Sequence, residues 1–195
     1  ADPGALISGR VVTDTGAPLP KATLRVSTSP LVYDLNARPP AIPGKDDGLV
    51  KADGTFVLKT PSGEHFVRVG PLPRGWSIAR IEAGRADVTD RPVDLRPNQH
   101  TADITIVVSD TLPDVTGRLQ DDGQERAGAT LLLFPTDRTR WHESGGSLRS
   151  TRPDQTGTFR FASVRPGEYL LVAVDTIQRW QVNDPEYLAS VEKRG

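Results

Sequence analysis

The 195-residue sequence contains no cysteine and no methionine. Without cysteine, the chain has no disulfide framework, no thiolate nucleophile and no cysteine-ligated zinc site. Cysteine-free chains occur in oxidising and reducing compartments alike, so this absence does not fix the location. The chain begins Ala1-Asp2-Pro3, without an initiator methionine. Removal of a signal peptide explains such a beginning, and so does cutting from a longer chain.

Long apolar runs and a surplus of one charge are also missing. No run of roughly 18 apolar residues occurs, so no membrane insertion is predicted. The net charge is −1, with acids and bases intermixed, and a basic surface for nucleic acid is therefore not expected. A hydrophobic fraction of 36% and a charged fraction of 25% are typical of a globular protein, with one large or two small domains.

Turn-forming residues are plentiful, with 18 glycines and 17 prolines. The short apolar stretches between them, several with strict alternation, indicate strands. Asp184 and Pro185 differ, because they are typical of the cap and first residue of a short helix near the C-terminus. We therefore predict an all-β fold with a short C-terminal helical segment and strands at residues 6–12, 22–26, 55–58, 66–69, 102–108, 115–119, 130–134, 158–161 and 169–174.

Five short motifs occur twice in the same order, about 105 residues apart. One such pair arises by chance, but five in order indicate a duplication. We predict two tandem β-sandwich domains, residues 1–110 and 111–195. The matched motifs are Ser8-Gly9-Arg10-Val11 with Thr116-Gly117-Arg118-Leu119, Ala22-Thr23-Leu24 with Ala129-Thr130-Leu131, Gly54-Thr55-Phe56 with Gly157-Thr158-Phe159, Gly63-Glu64 with Gly167-Glu168, and Trp76 with Trp180.

Glycine-containing motifs in both halves are similar to those of a known family. They are Gly9-Arg10-Val11-Val12, Gly16 to Ala22 and Asp53-Gly54-Thr55-Phe56 in the first half, and Gly157 to Phe161 and Arg165 to Tyr169 in the second. These stretches resemble the carboxypeptidase regulatory-like domain. The resemblance implies an immunoglobulin-like or transthyretin-like β-sandwich. It also implies a stalk, spacer or interaction module of an exported protein, without peptidase residues of its own.

The second half is shorter than the first. After Trp76 the first half continues through residues 86–108 to a final strand, whereas only fifteen residues follow Trp180. The stretch from Trp180 to Leu188 resembles the tail of such domains in large secreted bacterial proteins. We predict that the second sandwich lacks its last strand, which leaves an unpaired sheet edge. A following domain or a neighbouring copy then supplies that strand, unless the second domain simply has fewer strands.

Two long segments between predicted strands are the best candidates for a binding site, because long loops frequently carry function. They span residues 29–48 and 136–153. The first contains Tyr33, and the second contains Trp141 and His142 among polar neighbours. We expect an exposed tryptophan there that stacks on a sugar or anchors a protein contact. Surface decoration without a ligand is the alternative.

No residue pattern predicts covalent chemistry, a metal or a cofactor. The three histidines, His65, His100 and His142, lack metal-binding spacing, and His65 is expected to face solvent. No Gly-x-Ser-x-Gly nucleophile elbow occurs. The pairs Asp46-Asp47 and Asp121-Asp122 each precede a glycine, which turn chemistry explains without calcium.

These observations predict a non-enzymatic structural or interaction module of a secreted or cell-surface bacterial protein, self-assembling through exposed strand edges. The expected partners are copies of itself or neighbouring domains of the same protein. Two alternatives stay open. One is a carbohydrate-binding module that uses the two long loops to bind an extracellular glycan. The other is an accessory domain of a larger secreted peptidase or transporter.

Overall fold

The computed structural model describes residues 4–31, 47–121, 124–125, 128–142, 145–175 and 177–194. The chain divides into two units, Ala1–Thr111 and Leu112–Gly195. Strands dominate both units, and the single α-helix among the described residues is short and lies near the C-terminus. The predicted fold class, all-β with two sandwiches and a short C-terminal helical segment, is confirmed.

The first unit is a sandwich of a five-stranded and a three-stranded sheet. Its strands are β1 (Ala5–Thr13), β2 (Arg25–Pro30), β3 (Thr55–Thr60), β4 (Gly63–Gly70), β5 (Ser77–Ala83), β6 (Ala86–Asp87), β7 (Val93–Leu95) and β8 (His100–Ser109). The larger sheet has the order β3-β1-β8-β5-β6, and the smaller has the order β2-β4-β7. Strand β1 pairs antiparallel with β3 and parallel with β8.

Alternation along the strands builds the core of the first unit. In β3, Phe56 and Leu58 point inward and Val57 and Lys59 point outward, because successive side chains of a strand face opposite sides. Phe56 and Leu58 belong to the same apolar cluster as Ile104 and Ile106, two residues of β8 that are fully buried. Each such side chain stabilises the unit by roughly 1.5–3 kcal/mol.

Gly48, which follows the first long segment, connects β2 and β3 by backbone hydrogen bonds. The Val26 amide donates to Gly48 O at 2.7 Å, and the Gly48 amide donates to Val57 O at 2.8 Å. The segment therefore satisfies backbone groups of both β2 and β3. Gly48 adopts a φ of 69°, and a side chain there would meet the Val26 carbonyl, so only glycine fits.

The second unit repeats this plan with fewer strands. Its strands are β9 (Val115–Arg118), β10 (Gln120–Asp121), β11 (Gln124–Glu125), β12 (Thr130–Pro135), β13 (Arg149–Thr151), β14 (Thr158–Phe161) and β15 (Tyr169–Val174). The sheets have the orders β13-β12-β15 and β14-β9, beside a small hairpin of β10 and β11. The helical segments are α1 (Pro185–Val191) and 3₁₀ turns at Arg138–Arg140, Arg179–Asn183 and Glu192–Arg194.

Helix α1 forms where the sequence predicts it. The Asp184 side chain accepts a hydrogen bond from the Glu186 amide at 3.0 Å, and Pro185 occupies the first turn. Proline suits this position because its missing N–H has no partner within the helix. The helix buries Leu188 and Val191 in an apolar cluster with residues of β12 and β15. This packing covers the face of the β12–β15 sheet that lies away from β14.

Strand β12 is buried along its whole length. Leu132 and Phe134 belong to the cluster that contains α1, whereas Leu131 and Leu133 belong to the cluster formed with β14. The sheet is therefore covered on both faces, as the continuous apolar run indicates. By contrast, β2 of the first unit has only Val26 fully buried.

Candidate functional site

The two units share one strand pairing in the same register. Gly9 of β1 lies opposite Phe56 of β3, and Gly117 of β9 lies opposite Phe159 of β14. The hydrogen bond that ends this pairing is also repeated. The Val11 amide donates to Gly54 O at 2.8 Å in the first unit, and the Leu119 amide donates to Gly157 O at 2.9 Å in the second. The first and third sequence motifs therefore match residue by residue.

The turn before β3 also has a counterpart before β14. In the first unit, the hydroxyl and amide of Thr55 donate to the Asp53 carboxylate, which lowers the pKa of Asp53 from its ordinary value. In the second, Asp154 accepts from Thr156 and from the Thr158 amide, and its pKa is lowered from the ordinary value mainly by the Thr156 hydroxyl. The carboxylate stands at a different turn position in each unit but stabilises the same backbone reversal.

The second pairing corrects one of the matched motifs. Pro30 lies opposite His65, and Pro135 lies opposite Tyr169. The residue after each proline also forms an equivalent hydrogen bond: the Leu31 amide donates to Glu64 O, and the Thr136 amide donates to Glu168 O. The match of Ala22-Thr23-Leu24 with Ala129-Thr130-Leu131 is therefore displaced by two residues. Two residues are a full strand period, so the displacement keeps every side chain on its own face.

One side of the second sandwich has no covering strands. In the first unit, β8 lies beside β1 and β7 lies beside β4. Strands β9 and β15 are the equivalents of β1 and β4, and within the described parts of the chain neither has a strand at that edge. The predicted loss of the last strand stays a prediction. We call this uncovered side the open side, formed by Val115, Leu119, Tyr169, Leu171 and Ala173.

Burial at matched positions shows the consequence of this difference. Val67 of β4 is 1% exposed, whereas Leu171, its counterpart on β15, is 38% exposed. Val11 of β1 is buried, whereas Leu119 at the matching position is half-buried. These side chains point toward the sandwich interior, so their exposure arises from the missing cover and not from a position on the outer face.

Trp141, the strongest binding residue in the sequence analysis, is buried instead of exposed. Its side chain is 2% exposed, its Nε1 donates to Pro135 O at 2.7 Å, and its ring lies edge-on to Phe134 with centroids 5.4 Å apart. The expectation of an exposed indole is wrong, because the ring is packed in the apolar cluster that also contains Leu188 and Val191 of α1. No indole face at this position is open to a sugar.

The second long segment, residues 136–153, is described except for residues 143–144. It contains a 3₁₀ turn and β13, and the buried Arg165 donates to Ser147 Oγ. His142 is half-buried, and its amide donates to Arg140 O at 3.0 Å. Tyr33 and most of the first long segment lie outside the described residues. Of the three predicted binding residues, only Trp141 and His142 are therefore described.

The three histidines lie on separate parts of the described structure, His65 on β4, His100 on β8 and His142 after the first 3₁₀ turn. His65 is buried on β4, so the expectation that it faces solvent is wrong. Ser8 Oγ and His100 Nε2 lie 2.7 Å apart at the surface of the first unit, a contact explained as a hydrogen bond between neighbouring strands. Among the described residues, no cluster of acidic and histidine side chains could hold a metal ion, and no helix is long and apolar enough to cross a membrane.

No protein-family model and no curated protein matches the chain. The resemblance of both halves to the carboxypeptidase regulatory-like domain therefore stays a prediction.

Several solved structures are similar to the chain at low identity. The Bacillus anthracis TIE protein is 12% identical with a TM-score of 0.32, covering 88% of this chain and 28% of that protein. A streptococcal ancillary pilin is 17% identical with a TM-score of 0.35, covering 88% and 54%. The shaft pilin spaA of Lactobacillus rhamnosus is 12% identical with a TM-score of 0.33, covering 90% of each. This chain thus spans less than two thirds of the first two proteins. All three scores are below 0.5, so the function is argued from the residues of this chain.

Proposed function

We propose that this chain is a non-enzymatic structural module of a secreted or cell-surface bacterial protein, and that it assembles with further copies of itself through the open side of the second sandwich. The two units are proposed to be tandem copies of one carboxypeptidase regulatory-like sandwich. The shared register of Gly9 with Phe56 and of Gly117 with Phe159 supports the duplication. Extracellular placement rests on the resemblance of the repeated motifs.

The observation that carries the proposal is the exposure of Leu171 at an interior position that is filled in the first unit. Removing apolar surface from water is favourable by about 25 cal/mol per Å². An unpaired strand also presents N–H and C=O groups that another strand can satisfy. The open side offers both at once, which is the combination that strand addition uses. The buried state of Trp141 removes the aromatic platform on which the glycan-binding alternative depended.

The proposal is tested by particle size across a concentration series, measured by light scattering. We expect the wild-type chain to associate as its concentration rises. Leu171→Lys places a charge on the open side, where burial is costly without a partner, and this variant is expected to stay monomeric. Val57→Lys is the matched control, because Val57 is also an exposed apolar residue, 46% exposed, but lies outside the open side. It should associate like the wild type.

A wild-type chain that is monomeric at every concentration contradicts self-assembly. Equal weakening by Leu171→Lys and Val57→Lys contradicts the assignment to the open side. Circular dichroism on each variant checks that the strands are retained.

A further inference from the structure

We propose that Phe159 gates the open side. In the unassociated chain its ring fills the space over Gly117 that a covering strand needs, and the ring leaves this space before a second copy docks. This inference rests on the proposed self-assembly and adds a step that limits it.

The space over two matched glycines is filled differently in the two units. At Gly9, the three atoms nearest to an added Cβ are O, C and Cα of Ile104, at 1.8, 2.6 and 2.9 Å, so the backbone of the covering strand β8 fills the space. At Gly117, the three nearest atoms are Cζ, Cε1 and Cε2 of Phe159, at 2.7, 2.9 and 3.6 Å. Both glycines lie opposite a phenylalanine in the same register, Phe56 in the first unit and Phe159 in the second. The Phe159 ring therefore lies where the first unit has the backbone of β8.

The uncovered edge of β9 explains the position of this ring. Val115, Gly117 and Leu119 lie on one face of the strand, because side chains alternate, and Gly117 leaves a gap between two apolar side chains. Among the described residues no strand covers this edge, and removing apolar surface from water is favourable. The ring fills the gap while keeping an edge-to-face contact with Phe161, with centroids 6.0 Å apart. Phe159 is only 8% exposed in this position.

A ring in this place competes with a second copy for the same space. A copy that covers β9 as β8 covers β1 brings its backbone as close to Gly117 as Ile104 is to Gly9, so the ring cannot stay. Side chains occupy discrete staggered rotamers, and the ring therefore leaves by a change of rotamer. Minor conformations are populated at roughly 0.1–10%, and the apparent affinity for a partner falls in proportion to the competent population.

Replacing Phe159 by leucine removes the three ring atoms that lie over Gly117. We expect Phe159→Leu to associate at a concentration at least about tenfold lower than the wild-type chain, the factor for a competent population of about 10%. Light scattering across a concentration series of the full chain measures this shift, and circular dichroism checks that the strands are retained.

Phe161→Leu is the matched control. Phe161 lies on the same strand, is 4% exposed in the same apolar cluster, and forms the other half of the aromatic pair. None of its atoms is among the three nearest to an added Cβ at Gly117. The variant loses the same aromatic contact as Phe159→Leu, and we expect it to associate like the wild-type chain.

Nuclear magnetic resonance locates the ring independently of the two variants. In the dilute wild-type monomer we expect a nuclear Overhauser contact between the Hα protons of Gly117 and the ring protons of Phe159. The contact is expected to disappear as the chain associates. A contact that is missing in the dilute monomer, or that persists in the associated protein, overturns the gate.

The outcomes separate the gate from the proposed self-assembly. Equal association of Phe159→Leu and Phe161→Leu, with a wild-type chain that also associates, overturns the gate and leaves self-assembly intact. Association of Phe159→Leu alone supports the gate and removes only the self-assembly of the wild-type chain. If all three proteins are monomeric at every concentration, both proposals are wrong.

Discussion

Replacing Trp141 by alanine is expected to lower the free energy of unfolding of the second unit by about 3–5 kcal/mol, the range for truncating a buried aromatic side chain. The change removes the contacts of the ring with Phe134 and with the cluster that holds Leu188 of α1. It also leaves the buried Pro135 carbonyl without the indole donor, which adds a desolvation penalty. Small domains are stable by only about 5–15 kcal/mol, so we expect partial unfolding of this unit.

Urea unfolding followed by hydrogen exchange and mass spectrometry resolves the two units and measures this loss. We expect the amides of α1 to lose protection first and the first unit to keep the wild-type midpoint. His142→Ala is the control, because the neighbouring side chain is only half-buried, and it is expected to change stability by less than about 1 kcal/mol. A Trp141→Ala protein with wild-type stability would show that the indole is not part of the core.

Gly9→Ala is expected to destabilise the first unit by about 1–3 kcal/mol or more, the usual range for overpacking. An added Cβ at Gly9 would lie 1.8 Å from Ile104 O and 2.9 Å from Ile104 Cα. Both are backbone atoms of β8, so relief requires the strands to move apart. Thermal unfolding with unit-resolved hydrogen exchange measures the effect on the first unit.

Gly117→Ala at the matching position of the second unit is expected to have a smaller effect. There the three atoms nearest to an added Cβ all belong to the Phe159 ring, the closest at 2.7 Å. The ring can turn toward the open side. Equal losses from the two substitutions would contradict the difference in cover between β1 and β9.

Local pattern is sufficient to predict most strands. Alternation from Thr55 onward and the turn at Gly54 define β3, and Asp184 with Pro185 defines the start of α1. The pattern places the start of β2 too early, since the strand begins at Arg25 and runs to Pro30. Residues 22–24 alternate in polarity as a strand does, but the chain pairs with β4 only from Arg25 onward.

Burial of Trp141 does not follow from its sequence neighbours, because Arg140 and His142 are polar. Packing in three dimensions decides its environment, because the ring lies against Phe134 and shares an apolar cluster with Val172 of β15 and Leu188 of α1. One signal is present: the continuous run from Leu131 to Phe134 indicates a strand buried on both faces, which requires some segment to cover the second face. That requirement favours a core role for the nearby tryptophan.

The open side is partly predictable. Strand alternation predicts β9 and β15, and within the described residues each of them has a partner strand on one edge only. The exposure of Leu171 is not predictable, because alternation assigns a face to a side chain but not what packs against that face. Only the comparison with Val67 identifies an interior position that is left uncovered.

The central claim is that the second sandwich is open on one side. Residue-resolved amide exchange across a dilution series tests this claim most directly. Arg10 of β1 lies opposite Thr105 of β8. On β9 the Leu119 amide is bonded to Gly157 O, and backbone groups alternate direction along a strand, so the Thr116 N–H points to the open side. In dilute monomer we predict slow exchange for the Arg10 amide and fast exchange for the Thr116 amide, which slows as the chain associates, whereas the Leu119 amide should be protected throughout. A Thr116 amide as protected as that of Arg10 in the dilute monomer would contradict the account, because β9 would then have a partner strand on that side.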